Sequence, residues 1–168
     1  IDLGFNTTSS TAVRNYIATG GTLANSILQQ DPLNTGSSIY RVISTLTIPA
    51  GTTLTINDGA ILKFDLNQLL SVTGSLTIGD GDGVGPQSVL TSFRDNSVGA
   101  NISDGTAVVR GIWGRIQMNA GASVTIDNAL ISYADYGLFQ SFTQPGSALS
   151  VKNTEFRSTD FYGLNIGL

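Results

Sequence analysis

The amino-acid sequence predicts an all-β chain wound as a β-solenoid, and three observations carry that prediction. Short apolar-polar alternations recur, as in Leu46-Thr47-Ile48, Leu54-Thr55-Ile56 and Leu76-Thr77-Ile78, each bounded by Pro, Gly, Asn or Asp. A period of two makes a strand with one buried face, and the punctuating residues make tight corners. The pattern also returns over longer distances. Val42…Leu46-Thr47-Ile48 recurs as Val72…Leu76-Thr77-Ile78, and Val124…Ile126…Ile131 recurs as Leu149…Val151…Phe156, offsets of 30 and 25 residues. Strands and corners repeating at such periods belong to a coil laid over itself.

In chain order, residues 1–39 read as an N-terminal cap or as a linker. Ser10-Thr11 ahead of Ala12, Val13, Tyr16 and Ile17, with Gly20-Gly21 behind, fits a short helical cap. Residues 23–28 fit either a second short helix or the first strand. Asp31-Pro32 and Asn34-Thr35-Gly36 interrupt the chain.

Residues 40–168 read as the coils. Leu46 and Ile48 point inward and Thr45 and Thr47 outward, Pro49-Ala50-Gly51 turns, residues 53–56 repeat the alternation, and Asn57-Asp58-Gly59 turns again. Ala60, Leu62 and Phe64 then face inward, which puts Lys63 in solvent. Residues 70–78 and 88–93 continue the wall, with the loop 79–86 leaving it between them. A longer excursion over residues 94–108 returns through Ile112-Trp113-Gly114-Arg115-Ile116. The later repeat lays Val124 over Leu149, Ile126 over Val151, Ile131 over Phe156 and Asn128 over Asn153, the asparagines bonding each other's backbone at a corner. Glu155 and Arg157 fall on the outward phase. The strand pattern runs up to Gly167-Leu168, so an uncovered C-terminal end is expected.

Composition narrows the function. Of 168 residues 40% are hydrophobic and 12% charged, enough chain for one domain with a real core. The net charge is −4 and the eight Lys and Arg are scattered, which argues against nucleic acid, since phosphate contacts need clustered cations. Without Cys there is no disulfide, zinc cluster or thiol nucleophile, and without His the commonest general base is missing. No apolar run approaches the length of a membrane span. The chain opens at Ile1, as a processed or trimmed chain does.

The succession TLTIPAGTTLTINDGAILKF, LSVTGSLTIGDG, VLTSFRD, IWGRI and ASVTIDNALISYAD resembles the right-handed parallel β-helix modules of large bacterial surface and secreted proteins, which share their fold with pectate lyases. The resemblance spans residues 40–168. It implies a non-catalytic module of a long extracellular chain, beside adhesion or sugar-binding domains. That pattern has Trp-Gly-Gly-Ile where this chain has Trp113-Gly114-Arg115-Ile116, and Arg115 is expected to face outward. The resemblance also implies a calcium-type loop after the Thr-Ser strand, but here that loop has few carboxylates.

Four sets of residues offer chemistry. Calcium takes six to eight oxygens, and its candidate ligands are Asp80 and Asp82 in one loop and Asp95, Asn101, Ser103 and Asp104 in the other. Sugar cleavage needs paired carboxylates, here from Asp127, Asp135, Glu155 and Asp160, with Asp135 stacked one turn from Asp160 and Arg157 nearby. The pairs Thr45/Thr47, Thr53/Thr55, Ser75/Thr77 and Ser123/Thr125 resemble threonine arrays that order water on ice-binding solenoids, but their uneven spacing argues against a regular array. The aromatics Tyr133, Tyr136, Phe139, Phe142, Phe161 and Tyr162 serve packing or stack on sugar rings. Strand propensity, turn chemistry and core packing account for most of these residues.

The expectation is a non-enzymatic, extracellular or cell-surface structural or adhesive module. No cofactor is required beyond the calcium just considered. Its partners are neighbouring solenoid modules, further copies of itself stacked into fibres, or surface glycans. The competing readings are a polysaccharide lyase-like enzyme and a carbohydrate-binding module.

Overall fold

The computed structural model describes residues 16–30, 39–141 and 145–167. Its first turn holds β1 (Ile17–Thr22) and β2 (Ser26–Leu28), and its second holds β3 (Ile39–Ile48) and β4 (Thr53–Ile56). The third is β5 (Ile61–Phe64), β6 (Leu70–Val72) and β7 (Ser75–Ile78). The fourth is β8 (Ser88–Ser92), β9 (Ile116–Met118) and β10 (Ser123–Ile126), and the fifth β11 (Ala129–Ser132), β12 (Leu138–Gln140) and β13 (Ala148–Val151). β14 (Glu155–Arg157) and β15 (Leu164–Ile166) open the last of about six turns. The pairings between named strands are parallel, and the described residues contain no helix. The chain is an all-β parallel solenoid.

Three walls enclose the bore. The first runs β3-β5-β8-β11-β14, the second β3-β6-β9-β12-β15, and the third β2-β4-β7-β10-β13. The long strand β3 serves two walls: its first half pairs with β5 and its second half with β6. The helical cap expected at residues 10–17 lies largely outside the described residues. Ile17 belongs to β1, which pairs with β3, while Ser26–Leu28 is a strand on the third wall.

Alternation places one residue in two of each strand in the bore, and parallel register stacks these residues into columns. One column is Tyr40, Leu62, Leu90, Ile131 and Phe156, and another is Leu54, Leu76, Val124 and Leu149. Leu46, Leu54, Leu62, Leu90, Ile126 and Ile131 are wholly buried. Burying one such side chain stabilises by roughly 1.5–3 kcal/mol. Trp113 joins this core with its ring 4.2 Å from that of Phe64, 13° from parallel, and its indole N–H donates to the Ser132 carbonyl at 2.8 Å.

The 25-residue repeat is real: Val124 pairs with Leu149, Ile126 with Val151 and Ile131 with Phe156. The 30-residue repeat is not the structural register. Leu46 pairs with Leu70 and Ile48 with Val72, while Leu76 pairs with Leu54. Strands of the second and third walls carry the same Leu-x-Ile pattern, so the longer offset matched one wall to another. The two corner asparagines also depart from expectation. Both adopt positive φ, 49° at Asn128 and 44° at Asn153, but their amides bond carboxylates: Asn153 Nδ2 donates to Asp127 Oδ1 at 2.9 Å and Asn128 Nδ2 to Asp58 Oδ2 at 3.2 Å.

Lys63 is the clearest correction. It points out of the bore as expected, but the excursion over residues 94–108 folds across it and buries it completely. Its ammonium donates to the carbonyls of Asp95 at 2.6 Å and Ala100 at 3.0 Å. Burial pulls its pKa below the usual lysine value, against the nearby Asp95 charge. A second, outer apolar cluster lies under the same loop, formed by Ile39, Ile61, Val89 and Leu130 on successive strands with Val98, Ala100 and Ile102 packed on them. The Arg94–Asp104 pair closes the loop at 2.9 Å, and the Arg94 and Arg41 guanidiniums both lie over the Phe93 ring.

Lys63→Met keeps the aliphatic stem but leaves two loop carbonyls without their donor. The expected result is a stability loss of about 2–3 kcal/mol in urea unfolding, with new protease cleavage confined to residues 94–108. Unchanged stability and cleavage would show that the loop holds without the ammonium.

Candidate functional site

The corner between β4 and β5 gathers the densest charge among the described residues. Asp58 sits there, and register places Asp80 one turn along, because Ile56 pairs with Ile78. The chain then leaves the wall through Gly79, Gly81, Gly83 and Gly85, all at positive φ that glycine adopts without strain. Within this loop the Asp82 N–H donates to Asp80 Oδ1 at 3.1 Å and the Val84 N–H to Asp82 Oδ1 at 2.7 Å. These turns bend both carboxylates back toward Asp58, and one oxygen from each of the three lies within 4.8 Å of the others.

Asp58 is held unequally. Oδ2 accepts the Asn128 amide, whereas Oδ1 is buried with no hydrogen-bond partner. Burial raises the Asp58 pKa above the ordinary carboxylate value, and the Asp80 and Asp82 charges add to the rise, against the Asn128 bond and the Asp80 N–H directed at the carboxylate. A proton or a divalent cation would relieve the charge of such a corner. Three carboxylates are a partial set for calcium, which takes six to eight oxygens.

The other expected ligands lie elsewhere and have other partners. Asp95 is buried, taking the Thr91 hydroxyl on Oδ2 at 2.8 Å and the Ser97 hydroxyl and N–H on Oδ1. Asn101 accepts the Ser103 N–H, and the Arg94 guanidinium holds the Asp104 carboxyl down to about 2. Asp80 and Asp82 are thus brought together, with Asp58 as a third member that sequence reasoning missed. The signal was available. A 22-residue offset, from Leu54 to Leu76, puts Asp58 over Asp80.

The wall carboxylates separate as well. Asp127 holds Asn153, and Glu155 pairs with Arg157 at 2.9 Å in solvent. Asp135 and Asp160 come together at the end of the first wall. Both face Gly111, where a Cβ would lie 3.3 Å from an oxygen of each. The threonine pairs are more regular than their spacing suggests. Thr53, Ser75, Ser123 and Ala148 form one outward column, and Thr55, Thr77, Thr125 and Ser150 a second. The uneven sequence spacing comes from the loops, which leave the wall without disturbing its register.

Of the aromatics, Tyr136, Phe139, Phe161 and Tyr162 cluster on the outside of the last turns, with Arg115 facing outward over two of them. Phe142 lies outside the described residues. Comparison of the chain with protein-family models, curated proteins and solved structures finds no match in any of the three.

Asp58→Asn should raise the melting temperature near neutral pH, by about 0.5–1.5 kcal/mol in stability, since the added amide can donate toward Asp80 and Asp82. A raised carboxyl pKa stabilises the fold below the unfolded value and loses that contribution as pH rises through the folded one. The advantage of Asp58→Asn should therefore vanish below about pH 4, near the unfolded aspartate value. Melting curves across pH check this, and an equal advantage at all pH values would count against the charge argument. In the same assay, a cation bound by all three carboxylates raises the parent's melting temperature with millimolar calcium and leaves Asp58→Asn unmoved.

Proposed function

We propose that the chain is a non-enzymatic structural and adhesive module of an extracellular or cell-surface protein of bacterial type, whose last turn receives a further solenoid turn. That turn comes from a neighbouring module or from another copy. One observation carries the reading. The last turn keeps the register of the turn beneath it, and among the described residues β13, β14 and β15 each stand at the end of a sheet with no strand beyond.

Its side chains are correspondingly half covered. Leu138 is fully buried while Leu164, its partner in register, is 45% exposed. Leu149, Val151, Phe156 and Ile166 pack on the core from one side only. A parallel edge of this kind is a template for another strand, and a matching turn would satisfy both its backbone groups and its apolar side chains.

The catalytic inventory supports the same reading. The chain has neither histidine nor cysteine and a single glutamate, Glu155, which is paired with Arg157. Extracellular placement and bacterial type rest on the sequence resemblance to surface-protein modules.

Sedimentation velocity over a concentration series tests the stacking. The parent should assemble end to end, and Leu164→Lys, which sets a charge on the exposed edge, should remain monomeric with a melting temperature only slightly lowered. A parent that stays monomeric at the highest concentration overturns the stacking. Release of unsaturated products from acidic polysaccharides, with or without calcium, overturns the non-enzymatic part.

A further inference from the structure

We propose that Asp80–Gly81, in the loop over residues 79–86, is a self-modification site at which the chain rearranges through a succinimide to an isoaspartyl linkage. The chain carries four Asp-Gly sequences, Asp58–Gly59, Asp80–Gly81, Asp82–Gly83 and Asp104–Gly105. Glycine hinders this rearrangement least, because no Cβ stands beside its nitrogen and its backbone turns freely. The fold treats the four sequences differently.

In the first step the Gly81 nitrogen loses its proton and bonds to Cγ of Asp80, and the protonated carboxyl releases one oxygen as water. Water then opens the five-membered imide. Breaking the bond from nitrogen to Cγ restores aspartate. Breaking the bond from nitrogen to the main-chain carbonyl carbon leaves Gly81 joined through Cγ, with the former carbonyl as the free carboxylate. One water leaves and one enters, no electrons are exchanged, and nothing else is consumed. The step needs a nitrogen free of hydrogen bonds, a carboxyl not locked as an ion pair, and room for the peptide to swing.

Asp58–Gly59 lacks the free nitrogen and the room. The Gly59 N–H donates to the Pro86 carbonyl at 2.8 Å, and the Gln30 side chain lies 2.6 Å from where a Cβ would stand. Asp104–Gly105 lacks the free nitrogen and the free carboxyl. The Gly105 N–H donates to Ser103 Oγ at 3.2 Å, and Arg94 grips both Asp104 oxygens, at 3.1 and 2.9 Å, holding the carboxyl down to about 2. Asp82–Gly83 is tighter than its neighbour. Asp82 Oδ1 accepts the Val84 N–H at 2.7 Å, and the Asn153 amide lies 2.6 Å from the Cβ position of Gly83.

Asp80–Gly81 meets all three conditions. Both residues are exposed, the Gly81 N–H forms no hydrogen bond among the described residues, and no atom lies within 4 Å of its Cβ position. The Asp82 N–H, 3.1 Å from Asp80 Oδ1, folds the carboxyl back over its own peptide with a longer bond than the one holding Asp82. The corner adds a driving force. One oxygen each from Asp58, Asp80 and Asp82 lies within 4.8 Å of the others, and the imide removes one of these charges. In the isoaspartyl product the main chain gains a methylene and the carboxylate hangs directly on Cα, so the loop presents it on a shorter arm. This site does not rest on the stacking or adhesive reading.

The test incubates the native chain, and the chain unfolded in guanidinium chloride, in heavy-oxygen water at mildly acidic pH. Peptide mapping reads the heavy oxygen taken up at each Asp-Gly sequence, and isoaspartate-specific enzymatic methylation reads the linkage. The unfolded chain should react at all four sequences at comparable rates. The native chain should react at Asp80–Gly81 near the unfolded rate, and at Asp58–Gly59 and Asp104–Gly105 roughly tenfold more slowly, about 1.4 kcal/mol on the barrier. Asp80→Glu keeps the charge but must close a six-membered ring, so it should show no isomerisation there, with the other sequences reacting as in the parent. No reaction at Asp80 in the native chain, equal native rates at all four sequences, or a faster rate at any of the other three overturns the proposal. Heavy oxygen at Asp80 without the isoaspartyl linkage overturns it as well.

Discussion

The inter-turn ladder of hydrogen bonds is the constraint on which the rest of the structure depends. A parallel strand has no partner within its own turn, so each N–H and C=O on a wall must find the turn before or after it. That requirement fixes the axial rise, and the fixed rise forces side chains of successive turns into columns. The bore then follows. A column such as Tyr40, Leu62, Leu90, Ile131 and Phe156 excludes water only if every turn supplies an apolar side chain at the same place. The corners follow too, because a turn that must return to register needs residues that accept positive φ. Asn67, Asn128 and Asn153 and a set of glycines supply them.

Because the ladder is continuous, additions to the chain are tolerated only where they leave and rejoin a wall at the same register. The excursion over residues 94–108 does so between β8 and β9, and it is more than a tolerated insertion. It covers an outer column of Ile39, Ile61, Val89 and Leu130 that would otherwise be an apolar stripe on the surface. The wall in turn holds the loop, through Lys63 on two carbonyls and through Phe93 set against two guanidiniums. A buried ammonium is costly unless its donors are used, and here two loop carbonyls take two of its three. The first wall therefore has apolar packing on both of its faces, which explains why β5 and β8 read as unbroken buried runs.

Much of the fold was legible because the pattern that drives it is local. Period-two alternation and corner residues marked most strands from Leu46 to Ile131, and the 25-residue repeat gave true partners because its two copies carry the same three-wall sequence with only one inserted residue. The 30-residue repeat failed for a physical reason. Alternation says which face of a strand is buried, but it does not say which wall the strand occupies. The same blindness hid Asp58 from Asp80 and made the Thr53 and Thr55 columns look irregular. Lys63 was misplaced because its outward phase was read correctly while the cover over it was not. Which loop folds back onto a wall depends on Val98, Ala100 and Ile102 meeting a column assembled from four different turns, and no local window contains that information.

Register also explains how a chain this poor in charge assembles polar surfaces. Residues 22 to 48 apart become neighbours 4.8 Å apart in strand spacing, so one carboxylate or one ring per turn suffices to build a cluster. Asp58 and Asp80 gather at one corner this way, as do Asp135 with Asp160 and Tyr136 with Phe161 at another. The clusters differ in what they leave unsatisfied. At the first corner a buried oxygen lacks a donor, which shifts the balance toward protonation and costs stability. At the second, the groups are half-buried or exposed, stay solvated and cost the fold little. A charge held inside the wall costs stability, whereas rings and carboxylates that keep contact with water do not. The same stacking rule thus yields a strained corner and a solvated one, and the depth at which each cluster sits decides which it becomes.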